Sequence, residues 1–272
     1  MNNFYDIILS KNRNVAVKLT EYFDREPLWE DLNAPNLQGF RDFMLKKLSP
    51  NSVKTYISEL KAVINLYKGT IDIPCTDLKF MKAKAVKTTH CHLTVAELKK
   101  LENLQGLSKR HQDIRNMFLL QAWTGCRISD AIELSKDNID YDGNILSYSS
   151  NKTQVYATIP IKPIVREIIF YRLADIKLYG RSTYNRVISN LCKRAGINQE
   201  VKLFKSGEII KGAKYEFISS HSARRSFATN LYDAGIPITK IAHMMGHTDI
   251  TMTQRYICSN MDISADVQEF FN

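Results

Sequence analysis

Met244-Met245-Gly246-His247-Thr248-Asp249-Ile250-Thr251-Met252-Thr253-Gln254-Arg255-Tyr256 is the stretch on which the reading of this chain turns. A Gly-His pair is followed, nine residues after the histidine, by a tyrosine. Upstream lies His221-Ser222-Ala223-Arg224, and much earlier Thr124-Gly125-Cys126-Arg127. Singly, each has a structural explanation. Thr-Gly-x-Arg can be a helix end followed by a surface arginine, His221 can simply open a helix, and Gly246 can stop one. Tyr256 is one of 13 tyrosines, most of which are accounted for by packing. In combination, the two arginines, two histidines and tyrosine form a coherent chemical set.

That set suits attack of a tyrosine hydroxyl on a phosphodiester. A tyrosine with its ordinary pKa near 10 attacks phosphorus only where the developing charges are offset. Arginine suits this task, because its planar fork donates two parallel hydrogen bonds and keeps its proton. Phosphoryl transfer depends mostly on positioning and electrostatic stabilisation, and the departing oxygen needs a proton donor, which a lysine on a turn or a histidine can supply.

The rest of the chain fits a polyanionic partner. Its 272 residues are enough for two modest cores, and 38 Lys+Arg against 28 Asp+Glu leave a formal charge of +10. No apolar run approaches the roughly 20 residues of a transmembrane helix, and no signal peptide precedes Met1-Asn2-Asn3, so the expected location is cytoplasmic, without membrane association. The five cysteines (Cys75, Cys91, Cys126, Cys192, Cys258) form no Cys-x-x-Cys pair. His90-Cys91-His92 lacks a second ligand pair at tetrahedral-site spacing and reads as basic linker; no metal site is expected.

Hydrophobic periodicity predicts a mainly α chain with a small antiparallel β-sheet, an α+β fold. Val15, Leu19, Tyr22 and Phe23 make one helical stripe, and Leu37, Phe40, Met44 and Leu48 another. Val53, Tyr56, Ile57, Leu60, Val63, Ile64 and Tyr67 make a longer one, with Ser52 as its expected N-cap, Gly69 as its stop, and Lys54 and Lys61 on the opposite face. Residues 1–85 read as a helical domain and 86–92 as a basic linker, at the end of a stretch carrying Lys82, Lys84 and Lys87. Residues 93–272 read as a second, mixed domain. It opens on a capping box, Thr94 with Glu97, and continues with a buried helix through Ile114, Met117, Phe118 and Ala122. Two antiparallel strands are expected around Ile145–Tyr148 and Val155–Ile161, joined by Asn151-Lys152-Thr153-Gln154. Pro163 should open a helix with Val165, Ile168, Ile169, Leu173 and Ile176 inward. Another is expected near 182–195, a loop or hairpin over 201–217, and short helices near 221–234, 237–245 and 249–257.

The order and local spacing of Arg127, His221-x-x-Arg224, Gly246-His247 and Tyr256 resemble the tyrosine recombinase (phage integrase) family. The matching motifs span about 124–256, and the preceding helices fit more loosely. The resemblance implies a helical DNA-clamping domain followed by a mixed catalytic domain, the minimal two-domain type. It implies a site-specific DNA recombinase that cleaves and rejoins strands through a 3′-phosphotyrosine and needs neither metal nor cofactor. Arg127 and Arg224 would bind the scissile phosphate and Tyr256 would attack it. Lys152 would be the general acid, although Lys136 and Lys162 also flank the strands. His221 would assist proton transfer, and His247 would hydrogen-bond the phosphate or orient the tyrosine.

The implied partner is double-stranded DNA, bound by a monomer that assembles into a homotetramer on paired sites; accessory DNA-bending proteins are a further candidate. The tail Met261–Phe271, with Ile263, Val267, Phe270 and Phe271 on one helical face, would act between protomers. Arg225 departs from the family pattern, standing where many members have another histidine; Ala223 and Met245 each replace a common leucine. The competing readings are a type IB-like topoisomerase and a non-catalytic DNA-binding protein on the same scaffold. A two-metal nuclease lacks a carboxylate constellation here.

Overall fold

The structure is a computed structural model that describes residues 3–140, 142 and 144–258. It divides into two compact units: the described residues through Thr88 with Phe204–Ile209, and Thr89–Leu203 with the described residues from Ile210 onward.

The first unit is built from α1 (Phe4–Lys11), α2 (Arg13–Phe23), α3 (Ala34–Lys47) and α4 (Pro50–Tyr67). Asparagines set the starts of the first three. Asn3, Asn12 and Asn33 each accept a hydrogen bond from an amide in the first turn, satisfying donors that have no partner within the helix. The fourth begins earlier than expected. Ser49, not Ser52, is its N-cap, accepting from Ser52 N at 3.3 Å, because Pro50 supplies a preset φ at the first helical position. Phe4 and Ile8 of α1, a helix the periodicity did not reveal, join Leu19, Phe40, Met44, Ile57, Leu60 and Ile64 in one apolar core. Lys54 is exposed and Lys61 half-buried on the outer face of α4.

The second unit is organised around α6 (Lys109–Thr124), a helix buried on nearly all sides. Packed against it are α5 (Val95–Glu102), α8 (Pro163–Tyr171), α9 (Arg181–Arg194) and α10 (Ser220–Asp233). The capping box at the start of α5 is present: Thr94 N donates to Glu97 Oε2 at 2.7 Å and Glu97 N donates to Thr94 Oγ1 at 3.3 Å. The short α7 (Ile128–Ala131) follows α6 at once.

The sheet has three strands rather than the two expected. β1 (Ile139–Asp140) pairs antiparallel with β2 (Ile145–Ser149), which pairs antiparallel with β3 (Tyr156–Pro160). Leu146 lies opposite Ile159 and Tyr148 opposite Ala157, so the alternating apolar positions form one buried face. A two-residue strand is too short to leave a period-2 signal, and β1 therefore escaped the sequence.

Helix α8 also stops short of its apolar stripe. Leu173 sits in a following 3-10 turn (Leu173–Asp175), and Ile176 lies beyond it in extended backbone. The 201–217 region is a two-stranded hairpin, β4 (Glu200–Lys205) with β5 (Glu208–Ala213), then a 3-10 turn at Lys214–Phe217. The chain continues through α11 (Ile238–Met244) to α12 (Ile250–Gln254). This last helix ends before Tyr256 instead of containing it. The apolar tail Met261–Phe271 lies outside the described residues. Among those residues, no helix is long and apolar enough to cross a membrane.

Candidate active site

Two glycines create the geometry of the site. Gly125 ends α6 in the left-handed region at φ +69°, and a Cβ there would stand 2.4 Å from the Phe227 ring. The turn it makes sends Arg127 to the start of α7. Gly246 ends the turn after α11 at φ +62°, where a Cβ would meet Ser150 Cβ at 3.1 Å. Only glycine adopts such backbone routinely with so little space, which explains both Thr-Gly and Gly-His in physical terms.

Arg224 is buried in the first turns of α10. Its Nη1 donates to Gly125 O. Its Nη2 lies 3.4 Å from Met245 O and 2.9 Å from His247 Nε2. A guanidinium can only donate, so His247 Nε2 is the acceptor and His247 Nδ1 carries the proton, donating to Thr253 Oγ1 at 2.8 Å. Burial, reinforced by the charges of Arg224 and Arg127, lowers the His247 pKa to about 4 and keeps the ring neutral. Among the described residues no carboxylate pairs with Arg224, and its buried Nε lacks a hydrogen-bond partner.

Arg127 is half-buried and better compensated. Its Nη1 donates to Ser150 Oγ at 2.7 Å, Ser150 Oγ donates to Asp130 Oδ2 at 3.2 Å, and Asp130 lies 3.9 Å from the guanidinium. Burial and the nearby Arg224 charge draw the Arg127 pKa down while Asp130 opposes them. Asp130 also accepts from Asn151 N at 3.1 Å, tying α7 to the turn between β2 and β3. Lys152 is exposed on that turn, and Thr153 anchors it by donating to Gly246 O at 2.7 Å.

Tyr256 follows the end of α12. Its ring centroid is 5.2 Å from the Arg224 guanidinium, 5.5 Å from that of Arg225, and 5.4 Å from the His247 ring. Among the described residues its hydroxyl makes no hydrogen bond.

Arg127, Lys152, His221, Arg224 and Tyr256 line one cleft of about 440 Å³, together with Gln121, Arg181 and Ser220. His247 lies behind Arg224 and Tyr256. All six residues singled out in the sequence therefore meet in one place. Of the three lysines near the strands only Lys152 reaches the cleft; Lys162 lies 4.6 Å over the Trp123 ring, and Lys136 is in the 3-10 turn before β1. His221 is solvent-accessible. Burial of part of its ring, with Arg181, Arg225 and Arg224 nearby, lowers its pKa from the usual value.

The sequence reading missed the supporting residues. Asp130 is three residues beyond Arg127, a helical spacing that could have flagged the pair. Ser150, Thr253 and Arg181 carry no sequence signal, since only tertiary folding brings them here. Among the described residues, no three His, Cys, Asp or Glu side chains are grouped to hold a metal ion.

Comparison with known proteins gives a consistent picture. The chain is 28% identical over 189 residues to tyrosine recombinase XerA of Pyrococcus furiosus, a match covering 64% of this chain and 59% of that protein. It is 30% identical over 135 residues to tyrosine recombinase XerD of Neisseria meningitidis, covering 49% and 46% respectively. The chain thus spans about half the length of these relatives. A solved structure of the Tn1549 transposon integrase, in complex with a circular intermediate DNA, superposes with a TM-score of 0.65 at 18% identity, over 96% of this chain and 92% of that one; the likeness is one of fold. The model of the phage integrase family matches residues 92–262, which takes in the whole cleft and well over half of the sequence. With two arginines converging beside a tyrosine in that matched segment, the chain belongs to the phage integrase family.

Proposed function

We propose that this protein is a site-specific DNA recombinase that breaks and rejoins strands through a phosphotyrosine at Tyr256. One observation carries the proposal: Arg224 is buried with no carboxylate paired to it among the described residues, next to the ring of a tyrosine whose hydroxyl makes no hydrogen bond among them. A buried charge without a counterion is costly, so a site that keeps one is organised for an anion that arrives from outside. Arg127, which lines the same cleft, completes a pair able to hold both non-bridging oxygens of a phosphate.

In the proposed step the Tyr256 hydroxyl oxygen attacks phosphorus and the bond from phosphorus to the 5′-oxygen breaks. The tyrosine proton passes to His221, which its lowered pKa leaves neutral near pH 7. Lys152 gives a proton to the departing 5′-oxygen. His247 has both ring nitrogens engaged, by Arg224 and Thr253, and this supports an orienting role over direct contact with the phosphate. Rejoining runs the same steps backwards with a different 5′-hydroxyl, so the phosphotyrosine conserves the bond energy. The helical unit through Thr88 is proposed to grip the DNA, and four copies to act on paired sites.

The test is recombination between two duplexes carrying the sequence that flanks the protein's own gene, in excess EDTA. Exchanged products should form. Supercoil relaxation without exchange would favour a topoisomerase, binding without cleavage would favour a DNA-binding protein, and activity restored only by Mg²⁺ would overturn the mechanism.

A further inference from the structure

Arg224 and Arg225 are adjacent on α10 and serve different surroundings. Arg224 turns inward to Gly125, Met245 and His247. Arg225, about 100° further round the helix, reaches the chain that follows α12. Its Nη1 donates to Arg255 O at 2.6 Å, and its guanidinium lies 5.5 Å from the Tyr256 ring centroid. Thr229, one turn further along α10, continues the same face. Its hydroxyl donates to Tyr256 O at 3.4 Å and accepts from Cys258 N at 3.0 Å. Three consecutive hydrogen bonds thus hold residues 255–258 to α10, just where the last carbonyls of α12 lose their helical partners and the backbone would otherwise fray.

We propose that Arg225, with Thr229, is a latch that positions Tyr256 for attack, so that the nucleophile and the phosphate-binding Arg224 are delivered by the same helix of the same chain. This rests on Tyr256 being the nucleophile. A latch explains what an arginine does at a position where the family resemblance leads one to expect a titratable histidine. A guanidinium presents its donors in a fixed planar fork, which suits it to positioning. Its planar fork can bond a carbonyl while lying against an aromatic ring, which a histidine could not do with a fixed charge. The ring of Tyr256 is then held by Arg224, Arg225 and His247, and its hydroxyl stays free for phosphorus. Arg225 is a positioning residue: it fixes where Tyr256 sits without touching the reacting atoms.

The experiment compares full-length wild type, Arg225→Ala, Arg225→Lys and Thr229→Val on a nicked suicide duplex. It measures single-turnover adduct formation at saturating DNA, DNA affinity, and amide hydrogen exchange across 255–258. Arg225→Ala should slow adduct formation by about tenfold to a hundredfold, the size of effect expected from misplacing a reacting group by an ångström or so. DNA affinity should stay within about threefold, and exchange at 255–258 should quicken. Arg225→Lys, which can still donate to Arg255 O, should recover most of the rate. Thr229→Val keeps the shape of the core and should quicken the same exchange, so the latch stays open to refutation even if Arg225→Ala fails to fold. Adduct formation by Arg225→Ala at the wild-type rate would overturn the latch alone. So would a loss of affinity equal to the loss of rate, because Arg225 would then be a DNA contact. No adduct from wild type would remove the nucleophile, and with it both the latch and the recombinase reading.

Discussion

His247 is buried beside two arginines, and these surroundings give a measurable pH dependence. In the unfolded chain it titrates near 6.5, and in the fold near 4. Because the folded value is depressed, its neutral form suits the fold fully above about pH 6.5. As the pH falls from 6.5 towards 4 the unfolded state gains the proton first, and stability drains away; below 4 this group adds no further loss. The size is on the order of 3 kcal/mol. Urea unfolding of wild type and His247→Gln at pH 7.5 and pH 4.5 isolates the effect. The wild type should lose more stability between the two pH values, and equal losses would show that His247 is not held neutral by burial beside Arg224 and Arg127. The residue itself stood out in the sequence, but its tautomer did not. That depends on Arg224 Nη2 and Thr253 Oγ1, which reach the ring from two other elements.

Elements were legible where periodicity or capping chemistry is local. Helix α6 announces itself by its apolar residues and by Thr124-Gly125, and α5 by its capping box. Helix α1 and strand β1 did not, being two turns and two residues long. The least legible feature is the ion pair that joins α5 to the 3-10 turn before α10. Lys214 Nζ donates to Glu97 Oε2 at 2.6 Å, and Gln199 Nε2 donates to Glu97 Oε1 at 2.8 Å. The same carboxylate that caps α5 therefore also pairs a lysine 117 residues later. Burial works to raise the Glu97 pKa, but Lys214, the Thr94 amide and Gln199 outweigh it and hold the carboxyl below its usual range. Both partners are buried, so removing one strands the other. Lys214→Ala should cost about 3–5 kcal/mol at pH 7 by denaturant unfolding. The double variant Lys214→Met/Glu97→Leu should recover much of that loss. A cost below about 1 kcal/mol for Lys214→Ala would mean that water reaches Glu97.

For the whole molecule, the strongest signal in the sequence lies in the segment that the family model also matches, and a weaker one in the helices before it. The reason is physical. Site residues are fixed by chemistry and by glycine backbone, so they recur with recognisable spacing, whereas a helical unit needs only apolar stripes that many folds share. The +10 charge suits a polyanion but does not choose among polyanions. What sets this chain apart is one tyrosine beside two convergent arginines, and its role is open to direct measurement. Wild type and Tyr256→Phe are incubated with a nicked suicide duplex in excess EDTA, and any protein–DNA adduct is digested and mapped by mass spectrometry. Wild type should yield an adduct with a phosphodeoxynucleotide on Tyr256, and Tyr256→Phe none, despite nearly unchanged DNA binding. A full-yield adduct from Tyr256→Phe, or wild-type DNA attached to any other residue, would contradict this role of Tyr256.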